Sequence, residues 1–153
     1  MFNQITKRTV IPPMDATEIE KVRMLQSSLA ELPQVSIGTQ HILHAGMYSR
    51  TIMIPAGVVL TGALIKVATL LIIHGDVTVF IGDKTLDLSG YFVLPASANR
   101  KQAFFAKTDT HLTMMFPSKA ATTEEAEKEF TDEDHLLFSR KEGYQNLITV
   151  TGE

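Results

Sequence analysis

The sequence predicts a mainly β fold, with one helix before the strands and a shorter helix after them. β-Branched residues are dense from about residue 34 to residue 116, and turn residues recur there about every six to twelve positions. Apolar residues at helical spacing precede this region, and an acidic segment follows it. Many short antiparallel strands at such spacing are typical of a sandwich, barrel or jelly roll.

The first helix is predicted over residues 16–32. Asp15 followed by Glu18 has the pattern of a capping box, and Pro33 supplies a stop. Three- and four-residue spacing gives the helix one apolar stripe, made of Ile19, Val22, Leu25, Leu29 and Leu32. The apolar side chains of this stripe must be buried, either against the chain's own sheet or against a partner protein.

One hairpin is the clearest feature of the β region. Residues 76–81 alternate between two faces, residues 82–84 form a turn, and the alternation resumes at Leu86 and Leu88. Ser89-Gly90 is predicted to begin another turn. Further strands are predicted over residues 91–94, 102–106 and 111–116.

The segment after Pro117 is acidic. Thr123 is predicted to cap a helix that runs to Phe130, whose glutamates form a solvated face. Residues 136–138 are an apolar patch, and residues 147–150 form a short strand at a sheet edge or around a neighbouring subunit.

We expect one domain over residues 1–153. It consists of an N-terminal extension with the helix (1–33), the β core (34–117), and an acidic helical tail with a terminal strand (118–153).

Composition restricts the cellular context and the partners. The chain has no cysteine, so disulfides and thiolate metal sites are excluded. Its net charge is -3 with 14 Lys plus Arg, so the positive charge that would attract the phosphates of a nucleic acid is lacking. The longest apolar stretch, residues 67–73, is too short to cross a bilayer, and no signal-peptide pattern is present. We expect a cytoplasmic protein that binds neither nucleic acid nor membrane.

Turn residues in the β region resemble those of the cupin superfamily. The order is a proline-glycine turn at residues 54–57, a strand ending at Gly75, a hairpin, and a glycine-to-proline strand at residues 90–95. The resemblance covers about residues 46–116 and implies a double-stranded β-helix, the cupin-like jelly roll. It also implies self-association, because such domains commonly form dimers.

The metal ligands that the resemblance implies are missing from this chain. Cupins that bind metal carry two histidines and an acid in the segment that is residues 57–75 here, and a last histidine after Pro95. Residues 60–69 contain neither histidine nor carboxylate, and residues 96–100 end in Arg100. We therefore predict no metal and no other cofactor.

A narrower resemblance concerns residues 41–50 together with Thr61-Gly62 and Lys66. These residues resemble small cupin-like proteins encoded by tailed bacteriophages and prophages. In such relatives a histidine often precedes the lysine, where this chain has Ile65. The resemblance implies a phage or prophage origin, a location in the host cytoplasm and no established reaction, and it leaves virion association open.

Candidate ligand-binding residues are few. Tyr48 and Arg50 share a strand face, and Lys66 lies on a neighbouring predicted strand, so the three are placed to meet at the barrel mouth. Such a set suits an anionic molecule. The alternative is edge salt bridges to Asp76 or Asp87. His41 and Arg100 complete the candidate set, although the Arg100-Lys101 pair is otherwise interpreted as solvated surface.

Three functional hypotheses follow. The preferred one is a non-catalytic phage or prophage protein that acts by binding or assembly with a phage or host protein, since no nucleophile motif or nucleotide-binding loop is present. The second is a metal-free binder, or an enzyme, that holds an anionic molecule inside the barrel. The third is a relocated metal site built from His41, His44 and His111. For self-association, the helix stripe and residues 136–138 are the predicted dimer surfaces.

Overall fold

The computed structural model describes residues 10–153. The mainly β prediction, with an N-terminal helix and a shorter C-terminal helix, is confirmed. The elements are α1 (Ala16–Ala30), β1 (Thr39–His44), β2 (Met47–Ile54), β3 (Val59–Thr61), β4 (Thr69–Ile81), β5 (Lys84–Ala96), β6 (Ala103–Ala106), β7 (Thr110–Pro117), α2 (Thr123–Phe130) and β8 (Asn146–Val150). Two short 3-10 helices, Asp134–Leu136 and Phe138–Arg140, connect α2 to β8.

The strands form one strongly curled sheet in the order β3-β6-β4-β7-β2-β1-β8, with β5 paired along the other edge of β4. The first half of β4 pairs with β7 and its second half with β6. β4 therefore belongs to two wings of the sheet, and the barrel interior lies between them.

Gly75 lies where the two wings separate, and Gly90 is its partner on β5. The predicted turn at Ser89-Gly90 is wrong, because β5 continues through it to Ala96. β4 likewise continues through Gly75. Both glycines have positive φ, 152° at Gly75 and 113° at Gly90. The two glycines therefore allow the long paired strands β4 and β5 to bend, and neither glycine ends a strand.

Alternation along the strands separates the barrel interior from an outer face. Apolar residues of β4, β5 and β6 form the main core with residues from both flanks: Ile11, Ile37, Ile54, Leu60, Leu71, Ile73, Val77, Val79, Leu88, Leu94, Ala96, Phe104 and Ala106. A second cluster, under α2, contains Leu43, Tyr48, Met114, Phe116, Ala126, Phe130 and Leu137.

Helix α1 begins with the predicted capping box, in which Asp15 accepts from the Glu18 backbone and Glu18 accepts from the Asp15 backbone. It ends at Ala30, two residues before the predicted end. Ile19 and Val22 are buried with Met14, so the chain itself covers much of the helix stripe.

Helix α2 ends at Phe130 as predicted, but Thr122 is its N-cap, so the helix begins at Thr123 instead of after it. The prediction of a solvated glutamate face is wrong at Glu127, which is buried. The terminal strand β8 pairs in parallel with β1 at the edge of the sheet, which is one of the two positions expected for it. Neither helix among residues 10–153 combines the length and apolarity that spanning a bilayer requires.

Candidate functional site

The barrel contains a cavity of about 620 Å³. Its walls are largely apolar and come from both wings of the sheet, the end of α1 and the segment after α2. Among the lining residues are Leu29, Ile52, Leu60, Leu71, Phe104, Leu112, Met114, Phe130, Leu137 and Phe138. The core side chains therefore leave room for a small molecule.

Positive charge dominates the polar part of the wall. The described lining residues include Arg50, Arg100, Lys101 and Lys141 and no aspartate or glutamate. Arg50 and Lys101 each bond a carboxylate that lies behind the wall. Lys141 Nζ lies 5.1 Å from the centre of the Phe138 ring.

Arg50 is held by Glu127 on α2. Arg50 Nη1 donates to Glu127 Oε2 at 2.8 Å, and Arg140 Nε donates to Glu127 Oε1 at 2.7 Å. Ser139 Oγ donates to Glu127 and accepts from Arg50 Nη2 at 3.1 Å. One buried carboxylate thus joins β2, α2 and the second 3-10 helix.

Tyr48 and His41 continue this network behind the cavity wall. Tyr48 Oη accepts from Arg50 Nη1 at 3.3 Å and lies 2.7 Å from His41 Nδ1. His41 Nε2 lies 2.7 Å from Asn146 Oδ1 on β8, which fixes this nitrogen as the donor because the amide oxygen only accepts. Phe130 stacks on Tyr48 and lies beneath the Arg50 guanidinium. His41 and Tyr48 therefore orient Arg50 from behind the wall.

Burial and hydrogen bonds shift several pKa values in this network. Burial lowers the pKa of His41, a shift partly offset by the hydrogen bond to Asn146. Burial alone would raise the pKa of Glu127, but bonds from Ser139 and Arg140 and the charge of Arg50 outweigh it and hold that pKa below its usual range. At neutral pH the network therefore contains a neutral imidazole and an ionised carboxylate.

His41 is expected to make the fold less stable as the pH falls below 6.5. The unfolded chain binds a proton at His41 near the ordinary histidine pKa of 6.5, whereas the folded chain binds one only at lower pH. The unfolded state then holds more protons, so the free energy of unfolding decreases on acidification. Thermal unfolding between pH 7.5 and 5 should show this slope in the wild type, and a flatter slope in His41→Gln.

The same measurement on His44→Gln is the control, because His44 is exposed on the opposite strand face and bonds only Thr151 among the described residues. Its slope should match that of the wild type. An unchanged slope in His41→Gln would show that another group carries the pH dependence.

Lys66 does not join Tyr48 and Arg50, so the predicted meeting of all three is wrong. Its Nζ bonds Asp132 at 2.7 Å on the surface, and the residue does not line the cavity. Neither Arg50 nor Lys66 bonds Asp76 or Asp87, so the alternative edge bridges are also absent within residues 10–153.

His41, His44 and His111 do not converge. His41 faces the interior, whereas His44 and His111 lie on the outer face, at opposite ends of the β2 register. Within the described part of the chain, no group of three potential metal-ligating side chains comes together. The relocated metal site is therefore not formed.

Arg100 and Lys101 are buried, so their interpretation as solvated surface is wrong. They are 2% and 1% exposed. Lys101 Nζ bonds Glu133 at 3.1 Å and the Gly62 carbonyl at 2.9 Å. Glu133 also accepts from the Leu64 backbone and from Arg23 on α1, so it joins the helix to the barrel.

The sequence alone does not point to three residues at or behind the cavity wall, namely Glu127, Glu133 and Gln102. Glu127 and Glu133 lie in acidic segments that resemble solvated surface, and Gln102 resembles any strand residue. No sequence pattern marks the two glutamates as buried, because their cationic partners lie on segments that are distant in the sequence.

Comparison with known proteins gives likeness in fold. No protein-family model matches the sequence, and no curated protein matches it. Solved structures similar to the chain include a cupin superfamily protein from Desulfitobacterium hafniense DCB-2, at 14% identity and a TM-score of 0.46 over 74% of this chain and all of that one. Ectoine synthase from P. lautus has 14% identity and a TM-score of 0.47, covering 65% and 76% of the two chains.

A cupin-2 domain protein from Shewanella frigidimarina is similar over 61% of this chain and 91% of its own, at 11% identity and a TM-score of 0.41. At such identities and TM-scores the functional arguments rest on the residues of this chain alone.

Proposed function

We propose that the protein binds a small anionic molecule inside its barrel without a metal ion. The observation that carries the proposal is the cavity of about 620 Å³, whose described wall has four cationic side chains and no carboxylate. Carboxylates behind the wall pair with Arg50 and Lys101, so the attraction for an anion comes mainly from Arg100 and Lys141.

The size and polarity of the cavity support a metabolite-sized ligand with an apolar body. Pockets for small molecules commonly measure about 300–1,000 Å³ and combine apolar walls with a few placed polar groups. Phe104, Leu112 and Met114 supply such a wall, and Arg50 is preoriented by Glu127. Preorientation lowers the entropic cost of binding.

A thermal-shift panel of organic acids, sugars and nucleotides tests this proposal, with each acid paired with its neutral amide. We expect anions to raise the unfolding temperature, since a ligand at 100 times its Kd stabilises the fold by about 2.7 kcal/mol. Leu112→Trp should abolish the effect by filling the cavity. Met24→Trp, on the exposed face of α1 and outside the cavity, should retain it. Equal stabilisation by acids and amides, or none by any compound, would exclude an anion site.

We also propose that two copies associate through the outer face of the sheet. This face is defined by two rows of register partners on the six strands β5, β4, β7, β2, β1 and β8. They are Val93, Ile72, Thr113, Thr51, Gln40 and Leu147, and Pro95, Leu70, Met115, Ser49, Ile42 and Thr149. None is Asp, Glu, Lys or Arg, so no like-charge repulsion opposes pairing about a two-fold axis.

The dimensions of the outer face are adequate for a dimer. The parts of these six strands that lie in the outer face are about five to eight residues long and about 4.8 Å apart. They cover roughly 600 Å², near the approximately 800 Å² per partner of a standard interface. The helix stripe and residues 136–138 support pairing less well, because Ile19, Val22 and Leu137 are already buried within the chain.

Light scattering tests the dimer, which has an expected mass of twice 16.9 kDa. Thr113→Lys, at the centre of the outer face, should reduce the mass to that of one chain. Thr85→Lys, an exposed strand position outside the outer face, is the control and should remain dimeric. A wild-type mass of one chain would contradict this proposal. The phage or prophage origin, and a role in assembly with phage or host proteins, stay predictions that the gene neighbourhood tests.

A further inference from the structure

The guanidinium of Arg100 lies between the two chain segments in which the cupin resemblance placed metal ligands. Arg100 Nη1 donates to the Ser97 carbonyl at 2.7 Å on one side and to the Val67 carbonyl at 3.4 Å on the other. Arg100 Nη2 donates to Thr69 Oγ1 at 2.8 Å. A backbone bridge between Ile65 and Arg100 holds the segments together.

The charge of Arg100 has no carboxylate partner within residues 10–153, whereas Arg50 and Lys101 each have one. Burial lowers the pKa of Arg100 to about 10, which leaves it protonated at neutral pH. A buried charge is costly unless it is paired, so this position favours an incoming anion.

Gln102 provides a second donor at the same place. Its Oε1 accepts from Arg100 Nε at 3.2 Å, and because a guanidinium only donates, this contact fixes the orientation of the amide. Gln102 Nε2 is then left buried without a hydrogen-bond partner, in a residue that is 5% exposed and lines the cavity. An unpaired buried donor requires an acceptor.

We propose that Arg100 and Gln102 bind the carboxylate of a hydrophobic monocarboxylic acid. The inference rests on the proposed anion-binding function and assigns it a head-group site and a ligand class. Of the five N–H groups of Arg100, four have acceptors in the chain, so one N–H of Nη2 remains available in addition to Gln102 Nε2. Two donors match the two oxygens of one carboxylate.

The remainder of the cavity determines the rest of the ligand. Leu71, Phe104 and Met114 lie on the apolar wall, and no carboxylate among the described lining residues would pair with a cationic ligand group. The ligand body is therefore apolar.

Calorimetric titration with octanoate and its neutral analogue octanamide tests the inference. The wild type should bind octanoate at least tenfold more tightly, since a hydrogen bond to a charged group contributes that much or more. Gln102→Glu places a carboxylate of the chain itself beside Arg100. This variant should retain or gain thermal stability, lose at least tenfold in octanoate affinity, and bind octanamide as the wild type does.

Lys66→Gln is the matched control, because Lys66 is a surface cation outside the cavity, and it should bind both probes normally. Unchanged octanoate binding by Gln102→Glu would overturn the Arg100–Gln102 site while leaving an anion-binding cavity in place. If the wild type does not bind octanoate but binds another anion of the panel, the Arg100–Gln102 site for a hydrophobic acid is likewise overturned and the anion-binding cavity stays in place. Failure of every anion would overturn the proposed function as well.

Discussion

Replacing Glu127 with glutamine is expected to lower the free energy of unfolding by about 3 kcal/mol or more, the cost of leaving one member of a buried ion pair without its partner. Glu127 is 1% exposed and bonds both Arg50 and Arg140. The amide retains the size of the side chain but removes the charge. Arg50, whose side chain is 11% exposed, then stays buried without its carboxylate. Urea denaturation gives the change directly.

Asp132→Asn is the matched control for Glu127→Gln. It also removes a carboxylate from an ion pair, but the Asp132 side chain is 87% exposed, and such pairs contribute only about 0–1 kcal/mol. If the two substitutions lower the free energy of unfolding by similar amounts, the buried ion pairs of Glu127 do not stabilise the packing of α2 on the sheet.

Gly75→Ala is expected to destabilise the fold by about 3 kcal/mol or more. A Cβ at this position would lie 2.9 Å from Thr110 Cα, which is backbone and cannot rotate away. The positive φ of 152° adds conformational strain. Overpacking and strain each cost about 1–3 kcal/mol, and the two costs occur together here.

Gly90→Ala separates these contributions. Gly90 is the register partner of Gly75 and has a φ of 113°, but no atom lies within 4 Å of the added Cβ. Its cost should therefore be the strain alone, about 1–3 kcal/mol. Equal losses for the two alanine variants, measured by thermal and urea unfolding, would indicate that contact with Thr110 has no effect.

The sequence predicted those parts of the fold that depend on neighbouring residues. The capping box of α1 is a local pattern between Asp15 and Glu18, and the β4–β5 hairpin is marked by alternation on both sides of Gly82. The sequence pattern predicts strand ends at Gly75 and Gly90, and this prediction is wrong because β4 and β5 continue through them. In a sequence, a glycine that ends a strand in a turn cannot be distinguished from one that bends a continuous strand. The neighbouring strand that packs against the glycine decides between the two.

The candidate site was less predictable because its geometry is non-local. Strand parity, a local pattern, predicts that Tyr48 and Arg50 share a face, and in the structure Arg50 Nη1 donates to Tyr48 Oη. The burial of Arg100 depends on Val67 and Thr69, and that of Glu127 depends on Arg50 and Arg140, all from other segments. Charged residues resemble solvated surface in a sequence, and only the tertiary packing reveals their partners.

The parallel pairing of β8 with β1 also has a consequence for synthesis on the ribosome. His41 and its partner Asn146 are 105 positions apart. At a translation rate of about 5–20 residues per second, β1 emerges roughly 5–20 s before the strand that pairs with it. During this interval its outer backbone groups form an open edge, the type of surface at which nascent chains pair wrongly with each other. Slower translation of the last third of the chain would lengthen that exposure and lower the yield of folded protein.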